Sequence, residues 1–94
     1  MDIKKIGLFI AELRRAKGYT QKHLADILSV TDKAVSRWET GNGLPDTALL
    51  EKLSGALGVS VSELLAGDII KEKSKDDEGI IIDALNYSKR ALKN

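Results

Sequence analysis

One short segment, TDKAVSRWETGNGLPD at residues 31–46, combines polar side chains of both signs with an apolar pair at helical spacing. Val35 and Trp38 are three residues apart, so they share one face of a helix. The opposite face would carry Asp32, Lys33, Ser36 and Arg37. These groups can donate to guanine O6 and N7 or accept from cytosine N4 in the major groove of B-DNA, which admits a helix. Taken by their charge alone, they would more commonly form a solvated helix surface.

Five helices with recognisable ends would position this polar face. Apolar residues recur at helical spacing in five segments, and capping side chains precede three of them, at Thr20, Thr31 and Asp46. Ser60 and Glu63 form an S-x-x-E capping box before the last segment. No stretch alternates β-branched and polar residues as a strand would. We therefore predict an all-α fold with helices at about 3–17, 21–28, 32–40, 47–57 and 60–67.

The composition excludes several functional classes. The chain has 94 residues, of which 43% are hydrophobic and 31% charged, values that are ordinary for one small globular domain. It has no Cys and one His, so a disulfide, a thiol nucleophile or a typical zinc site cannot be built. No P-loop or hydrolase nucleophile motif occurs. We expect neither an enzyme nor a bound cofactor or metal ion.

The apolar segments are short. No run approaches the length that crosses a bilayer, and the acidic and basic residues of the first seventeen positions interrupt any apolar core of a secretion signal. We therefore expect a cytoplasmic protein that does not insert into a membrane.

The net charge of +1 conceals a strong polarity along the chain. Residues 14–37 contain six Lys or Arg and two Asp, a local balance of +4. Residues 38–68 contain one Lys and five acidic side chains, a local balance of −4. A nucleic-acid-binding surface in the first half of the chain is therefore compatible with the small net charge.

The segment YTQKHLADILSVTDKAVSRWETGNGLPD, at residues 19–46, resembles the helix-turn-helix of the Cro/C1-type (XRE-like) family of phage and bacterial repressors. Gln21, Ala25, Trp38 and Glu39 occupy positions typical of that family. The similarity continues through ALLEKLSGALGVSVSELLAG, which resembles the fourth and fifth helices of the family. The resemblance implies a five-helix bundle like that of lambda repressor, with double-stranded DNA as its partner.

The resemblance also implies roles for individual residues. The start of the second helix would meet the DNA backbone or an outer base, the third helix would read bases, and the following loop would bind phosphate. Lys22 and Arg37 would add contacts with phosphate that depend on salt. The predicted DNA-contacting residues are Thr20, Gln21, Lys22, Thr31, Asp32, Lys33, Ser36, Arg37, Thr40 and Asn42.

Four further residues have predicted structural roles. Arg14 and Glu39 match an ion pair that links the first and third helices in the family, and we predict that it is buried. Ser29 stands in the turn where many members have Gly, so a positive φ there would carry a modest strain cost. We expect Trp38 to pack in the core and not to stack on a base, because its neighbour Val35 is apolar and the chain has few aromatic residues.

The chain divides into three predicted parts: a helix-turn-helix domain at 1–68, a charged linker at 69–79, and an amphipathic helix or tail at 80–94. The apolar stripe of 80–94 needs a cover, either this domain, a second copy or another protein.

The favoured interpretation is a sequence-specific regulator of transcription that reads the major groove of double-stranded DNA with its third helix, at about residues 32–40. The habit of the family favours a repressor, and helix-turn-helix domains usually bind as dimers. One alternative is a protein-interaction module, an antitoxin or adaptor, whose segment 80–94 captures a partner protein. Another is a DNA-binding domain of a longer receptor.

Overall fold

The computed structural model describes residues 1–70, and the predicted helix or tail at 80–94 and all but the first two residues of the predicted linker lie outside this range. The described part is all-helical and contains no strand, which confirms the predicted fold class. No helix in it is both long and apolar enough to cross a bilayer. The five helices are α1 at Ile3–Ala16, α2 at Gln21–Leu28, α3 at Asp32–Glu39, α4 at Thr47–Leu57 and α5 at Val61–Ala66.

Side-chain caps determine where the helices begin. Thr20 Oγ1 accepts from His23 N at 2.9 Å, Thr31 Oγ1 accepts from Ala34 N at 3.2 Å, and Asp46 Oδ1 accepts from Leu49 N at 2.9 Å. Each such bond satisfies a backbone N–H that has no partner within the helix, and its loss typically costs about 1 kcal/mol. The starts predicted for α2, α3 and α4 are therefore confirmed.

Several helix ends and one cap differ from the sequence prediction. Lys17, Thr40 and Gly67 are C-caps, so α1, α3 and α5 each end one residue earlier than predicted. Ser60 is the N-cap of α5, which therefore begins one residue later, at Val61. Asp2 caps α1, with Oδ1 accepting from Lys5 N at 3.1 Å. Asp2 was not predicted as an N-cap, although Asp is a preferred N-cap residue and Asp46 was predicted on that ground.

One hydrophobic core joins all five helices. Each helix contributes a side chain with no solvent exposure, and these are Ile10, Leu24, Val35, Leu53 and Leu64. Trp38 is only 3% exposed, so its predicted place in the core is confirmed. Removing most of one such Leu or Ile side chain typically costs about 2–5 kcal/mol, because a cavity remains. Because Val35 and Trp38 are anchored in this shared core, the polar face of α3 is directed toward solvent.

The backbones of α1 and α3 come into direct contact at Gly7. A Cβ atom added to Gly7 would collide with the carbonyl oxygen of Trp38 and lie 2.9 Å from that of Glu39. Glycine is therefore required at this position by the closeness of the two helices. The contact fixes the C-terminal end of α3 against the middle of α1.

The turn between α2 and α3 contains a positive φ angle at Ser29, where the comparison with Gly in the family made one conceivable from the sequence. Ser29 has φ 59° and ψ 42°, in the left-handed region, and is the only residue other than Gly with a positive φ among residues 1–70. The next residue, Val30, donates from its backbone N–H to the Ala25 carbonyl at 2.9 Å. This turn sets α3 across α2 at the cost of some backbone strain.

Candidate nucleic-acid interface

The exposed side of α3 opposes its buried side as predicted from the spacing. Val35 has no solvent exposure, and Asp32, Lys33 and Arg37 are exposed. Ser36 is half-buried. The first turn of α3 therefore presents an exposed carboxylate and an exposed ammonium group, a combination that can accept from cytosine and donate to guanine.

The N-termini of α2 and α3 provide electrostatic sites for an anion. Thr20 and Thr31 each cap one backbone N–H, and further N–H groups of the first turns remain directed along the helix axis. The helix dipole makes such ends attractive to phosphate. Both helices have eight residues. The carboxylate of Asp32, in the first turn of α3, interacts favourably with the dipole of that helix.

A buried ion pair connects α3 to α1. Arg14 Nε lies 2.6 Å from Glu39 Oε2, and Arg14 Nη2 lies 3.1 Å from Oε1. The side chains of Arg14 and Glu39 are 11% and 5% exposed. The hydrogen bond to Glu39 raises the pKa of Arg14 above its usual value, with burial acting in the opposite direction.

The same network reaches the start of α2. Gln21 Nε2 donates to Glu39 Oε1 at 3.0 Å, and Arg14 Nη1 donates to the Tyr19 carbonyl at 2.8 Å. The sequence predicts a DNA contact for Gln21 but does not predict this bond to Glu39. Nothing local signals it, because Gln21 and Glu39 are eighteen residues apart. The Glu39 carboxylate thus connects α1, α2 and α3.

Lys22 forms only a loose surface pair. Its Nζ lies 3.6 Å from Asp26 Oδ1, one helical turn further along α2, and both side chains are well exposed. Such pairs contribute about 0–1 kcal/mol. The amine of Lys22 can therefore exchange this partner for a phosphate at little cost.

The remaining predicted residues lie together at the C-terminal end of α3. Arg37 Nη2 donates to the Asn42 carbonyl at 3.1 Å, and Asn42 Nδ2 donates to Thr40 Oγ1 at 2.9 Å. We call Arg37, Thr40, Asn42 and Gly43 the loop cluster. Apart from Ser36, in the middle of α3, the predicted DNA-contacting residues therefore form two groups, one at the N-termini of α2 and α3 and the other in the loop cluster.

Comparisons with known proteins agree with this arrangement. A protein-family model described as helix-turn-helix matches residues 10–64. The chain is 41% identical over 61 residues to the prophage-derived HTH-type transcriptional regulator YonR of Bacillus subtilis, and the match covers 65% of this chain and 56% of YonR. It is 39% identical over 59 residues to the HTH-type transcriptional activator BcrR of Enterococcus faecalis, covering 63% of this chain and 29% of BcrR. The chain thus spans about half of one relative and less than a third of the other.

Solved structures show the same fold. The restriction-modification controller protein C.AhdI from Aeromonas hydrophila superimposes with a TM-score of 0.62 and 33% sequence identity. The superposition covers 67% of this chain and 91% of that protein. Because the family model covers more than half of the chain, and these relatives share both sequence and fold with it, this protein belongs to the Cro/C1-type helix-turn-helix family of DNA-binding transcription regulators.

Proposed function

We propose that this protein binds double-stranded DNA sequence-specifically and regulates transcription by placing α3 in the major groove. The observation that carries the proposal is the first turn of α3, where Asp32 and Lys33 are exposed beside the Thr31 cap while Val35 is fully buried behind them. A rigid helix with complementary donors and acceptors at its exposed end is the arrangement that direct readout of bases needs.

The two groups of residues would divide the work of binding. Asp32 and Lys33 contact base edges, with Ser36 beside them, and each good bidentate contact contributes about 1–3 kcal/mol of discrimination. The N-termini of α2 and α3 bind phosphate, together with Lys22. The loop cluster binds a further phosphate through the second Nδ2 hydrogen of Asn42 and backbone amides, while Thr40, whose hydroxyl hydrogen is donated to a carbonyl of α3, holds the Asn42 side chain in place. These phosphate contacts add affinity that does not depend on base sequence.

We further propose that the protein acts in the cytoplasm as a repressor that blocks access of polymerase to a promoter, and that it has no catalytic activity. It binds as a homodimer, because two copies would engage two half-sites about 34 Å apart and so lengthen the sequence read. Ile69 and Ile70, which follow α5, are about half exposed and supply apolar surface for such an association.

The segment 80–94 is proposed as a second contact, either between the two copies or with another protein. A chain that ends after residue 79, and so lacks only this segment, distinguishes these roles. Loss of the dimer in multi-angle light scattering assigns the segment to self-association. Retention of both the dimer and DNA binding assigns it to another protein or to packing on this domain.

Selection from a random duplex library tests the proposed function. The parent protein is compared with Lys33→Ala and with Lys52→Ala, which removes an equal charge from the exposed surface of α4. We expect the parent and Lys52→Ala to enrich the same motif and Lys33→Ala to enrich it weakly or with a changed base. If no motif is enriched by the parent, the proposal of sequence-specific binding is wrong.

A further inference from the structure

Arg37 is bonded to the same loop residue through its main chain and its side chain. Its carbonyl oxygen accepts from Asn42 N at 2.9 Å, and its guanidinium Nη2 donates to the Asn42 carbonyl at 3.1 Å. Both backbone polar groups of Asn42 are therefore satisfied by one residue of α3. The loop is closed back onto the helix that precedes it.

Side chains of the loop extend this closure. Thr40 Oγ1 lies 2.9 Å from the Ser36 carbonyl and 3.2 Å from that of Arg37, and its single hydrogen can be donated to one of them at a time. The same hydroxyl accepts from Asn42 Nδ2 at 2.9 Å. The Asn42 amide, which has a second hydrogen for a phosphate, is thus held in one arrangement with Thr40 and Arg37.

Gly43 leaves the space that the guanidinium occupies. A Cβ atom at Gly43 would lie 2.6 Å from Arg37 Nη2 and 2.9 Å from Cζ. The backbone of Gly43 does not explain the glycine, because its φ is outside the positive range that side chains avoid. The absence of a side chain at this position is therefore explained by the position of Arg37.

This position also separates Arg37 from the first turn of α3. Arg37 is five residues after Asp32, a rise of about 7.5 Å along the helix axis. Its guanidinium then extends further, to residues 42 and 43 of the loop. The charged group lies at the opposite end of α3 from Asp32 and Lys33, whose exposed side chains carry the proposed base reading.

We propose that Arg37 is a positioning residue that holds the loop cluster in its phosphate-binding form and does not itself read a base. This inference rests on the proposed function and refines it, since Arg37 lies on the polar face of α3 that the sequence predicts to contact bases. Arg37 would act through Asn42 and Thr40, with Gly43 as the complementary gap. Binding would lose strength without Arg37, but the preferred base sequence would not change.

The test measures affinity for the selected duplex, for its single-base variants and for an unrelated duplex. We expect Arg37→Ala to weaken binding to all of them by one common factor of roughly 2–10, the effect of one lost intramolecular hydrogen bond. Arg37→Lys should recover part of this loss, because its ammonium can donate to the Asn42 carbonyl. Lys52→Ala controls for the loss of a charge, and thermal unfolding verifies that each variant is folded.

Gly43→Ala provides a second test, in which the charge of Arg37 is retained. Its added methyl group displaces the guanidinium, so we expect a loss similar to that of Arg37→Ala. In the double variant the two losses should not add, because each removes the same contact. Additive losses, or Gly43→Ala binding like the parent, would overturn the proposal.

The dependence of affinity on salt separates positioning from direct contact. If Arg37 neutralised a phosphate itself, Arg37→Ala would reduce the slope of log K against log salt by about 1. An unchanged slope supports positioning, whereas a reduced slope, or a changed preference at one base pair, overturns it. A parent protein that selects no motif refutes the proposed function, and this inference with it. A parent that selects a motif while Arg37→Ala alters it refutes only this inference.

Discussion

Among single residues, the Glu39 carboxylate has the largest predicted effect on stability. It accepts two bonds from Arg14 and one from Gln21 while nearly excluded from solvent. Glu39→Gln would leave Arg14 charged, mostly buried and without its counter-ion. We predict a loss of about 3–5 kcal/mol in the free energy of unfolding, measured in urea.

The exposed pair of Lys22 and Asp26 is the control for this prediction. Asp26→Asn also removes one carboxylate from an ion pair, but in a solvated place, so a change of about 0–1 kcal/mol is expected. Equal and small losses for Glu39→Gln and Asp26→Asn would show that burial of the Arg14 pair contributes little.

At the scale of residues, the sequence predicted which positions are polar and exposed more reliably than where their side chains point. Lys33 is exposed because helical spacing places it opposite Val35. Asp32 is exposed at the first position of α3, although it is three residues before Val35. The orientations of Gln21 and Arg37 could not be predicted in this way. Both are long side chains with many rotamers, and the fold determines their partners. Gln21 bonds to Glu39, and Arg37 bonds to the loop beside Gly43.

At the scale of elements, one carboxylate holds both ends of α5. Glu63 Oε1 accepts from Ser60 N at 2.9 Å, completing the capping box, and Oε2 accepts from Ile70 N at 3.1 Å. The bond from Ser60 N, followed by that from Ile70 N, lowers the pKa of Glu63 below its usual value. Glu63 therefore joins the start of α5 to the chain that leaves it.

This shift predicts how the stability of the domain depends on pH. A carboxyl group with a lower pKa in the folded state binds protons more weakly there than in the unfolded chain. Its contribution is thus complete above the usual pKa of Glu and is lost as pH falls through the lowered folded pKa. Glu63→Gln should be less stable than the parent at pH 7, and this gap should narrow in acid, as measured by urea unfolding from pH 7 to pH 3.

Glu51→Gln, on the exposed surface of α4, is the matched control for Glu63→Gln. The stability difference between Glu51→Gln and the parent should change little over the same pH range. A gap for Glu63→Gln that stayed constant down to pH 3 would contradict the role assigned to the charged form of Glu63.

The contact between α1 and α3 gives a prediction from two glycines. Gly7→Ala would drive a methyl group into the Trp38 and Glu39 carbonyls, and we expect a loss of about 1–3 kcal/mol from the resulting helix displacement. Gly55, within α4, has open space around the same position. Gly55→Ala should therefore increase stability by about 0.5–1 kcal/mol through helix propensity.

Urea unfolding of both variants measures this difference directly. The two substitutions are chemically identical and both lie inside helices, so opposite signs would isolate the steric effect at Gly7 from propensity. Stabilisation by both would mean that α1 and α3 are farther apart than the structure places them.

The elements themselves were largely predictable because their signals are local. A cap and the N–H that it bonds are three residues apart, so Thr20, Thr31, Asp46 and Ser60 could be recognised in sequence. Helix ends are less sharp, which accounts for the three C-terminal ends that were predicted one residue too far along the chain. The closeness of α1 to α3 was not predictable, since Gly7 by itself reads as a weak point in a helix.

For the molecule as a whole, the order of the helices and the resemblance of residues 19–67 were sufficient to predict the fold and the family. Each of the five helices contributes a fully buried residue to one core, so the described part behaves as a single structural unit. The uneven distribution of charge along the chain fits this arrangement, because the basic segment 14–37 includes α2 and the first six residues of α3. The way two copies associate was not predictable from one sequence, because it depends on surfaces and not on helical pattern.

Base reading by the first turn of α3 is tested most directly by a position-by-position profile of DNA affinity. The affinity of the parent and of Lys33→Ala is measured for the selected duplex and for every single-base-pair variant of it. We predict that Lys33→Ala loses about 1–3 kcal/mol of discrimination at one or two neighbouring base pairs and keeps the parent profile elsewhere. A profile that is uniformly weakened, or unchanged, would contradict the claim.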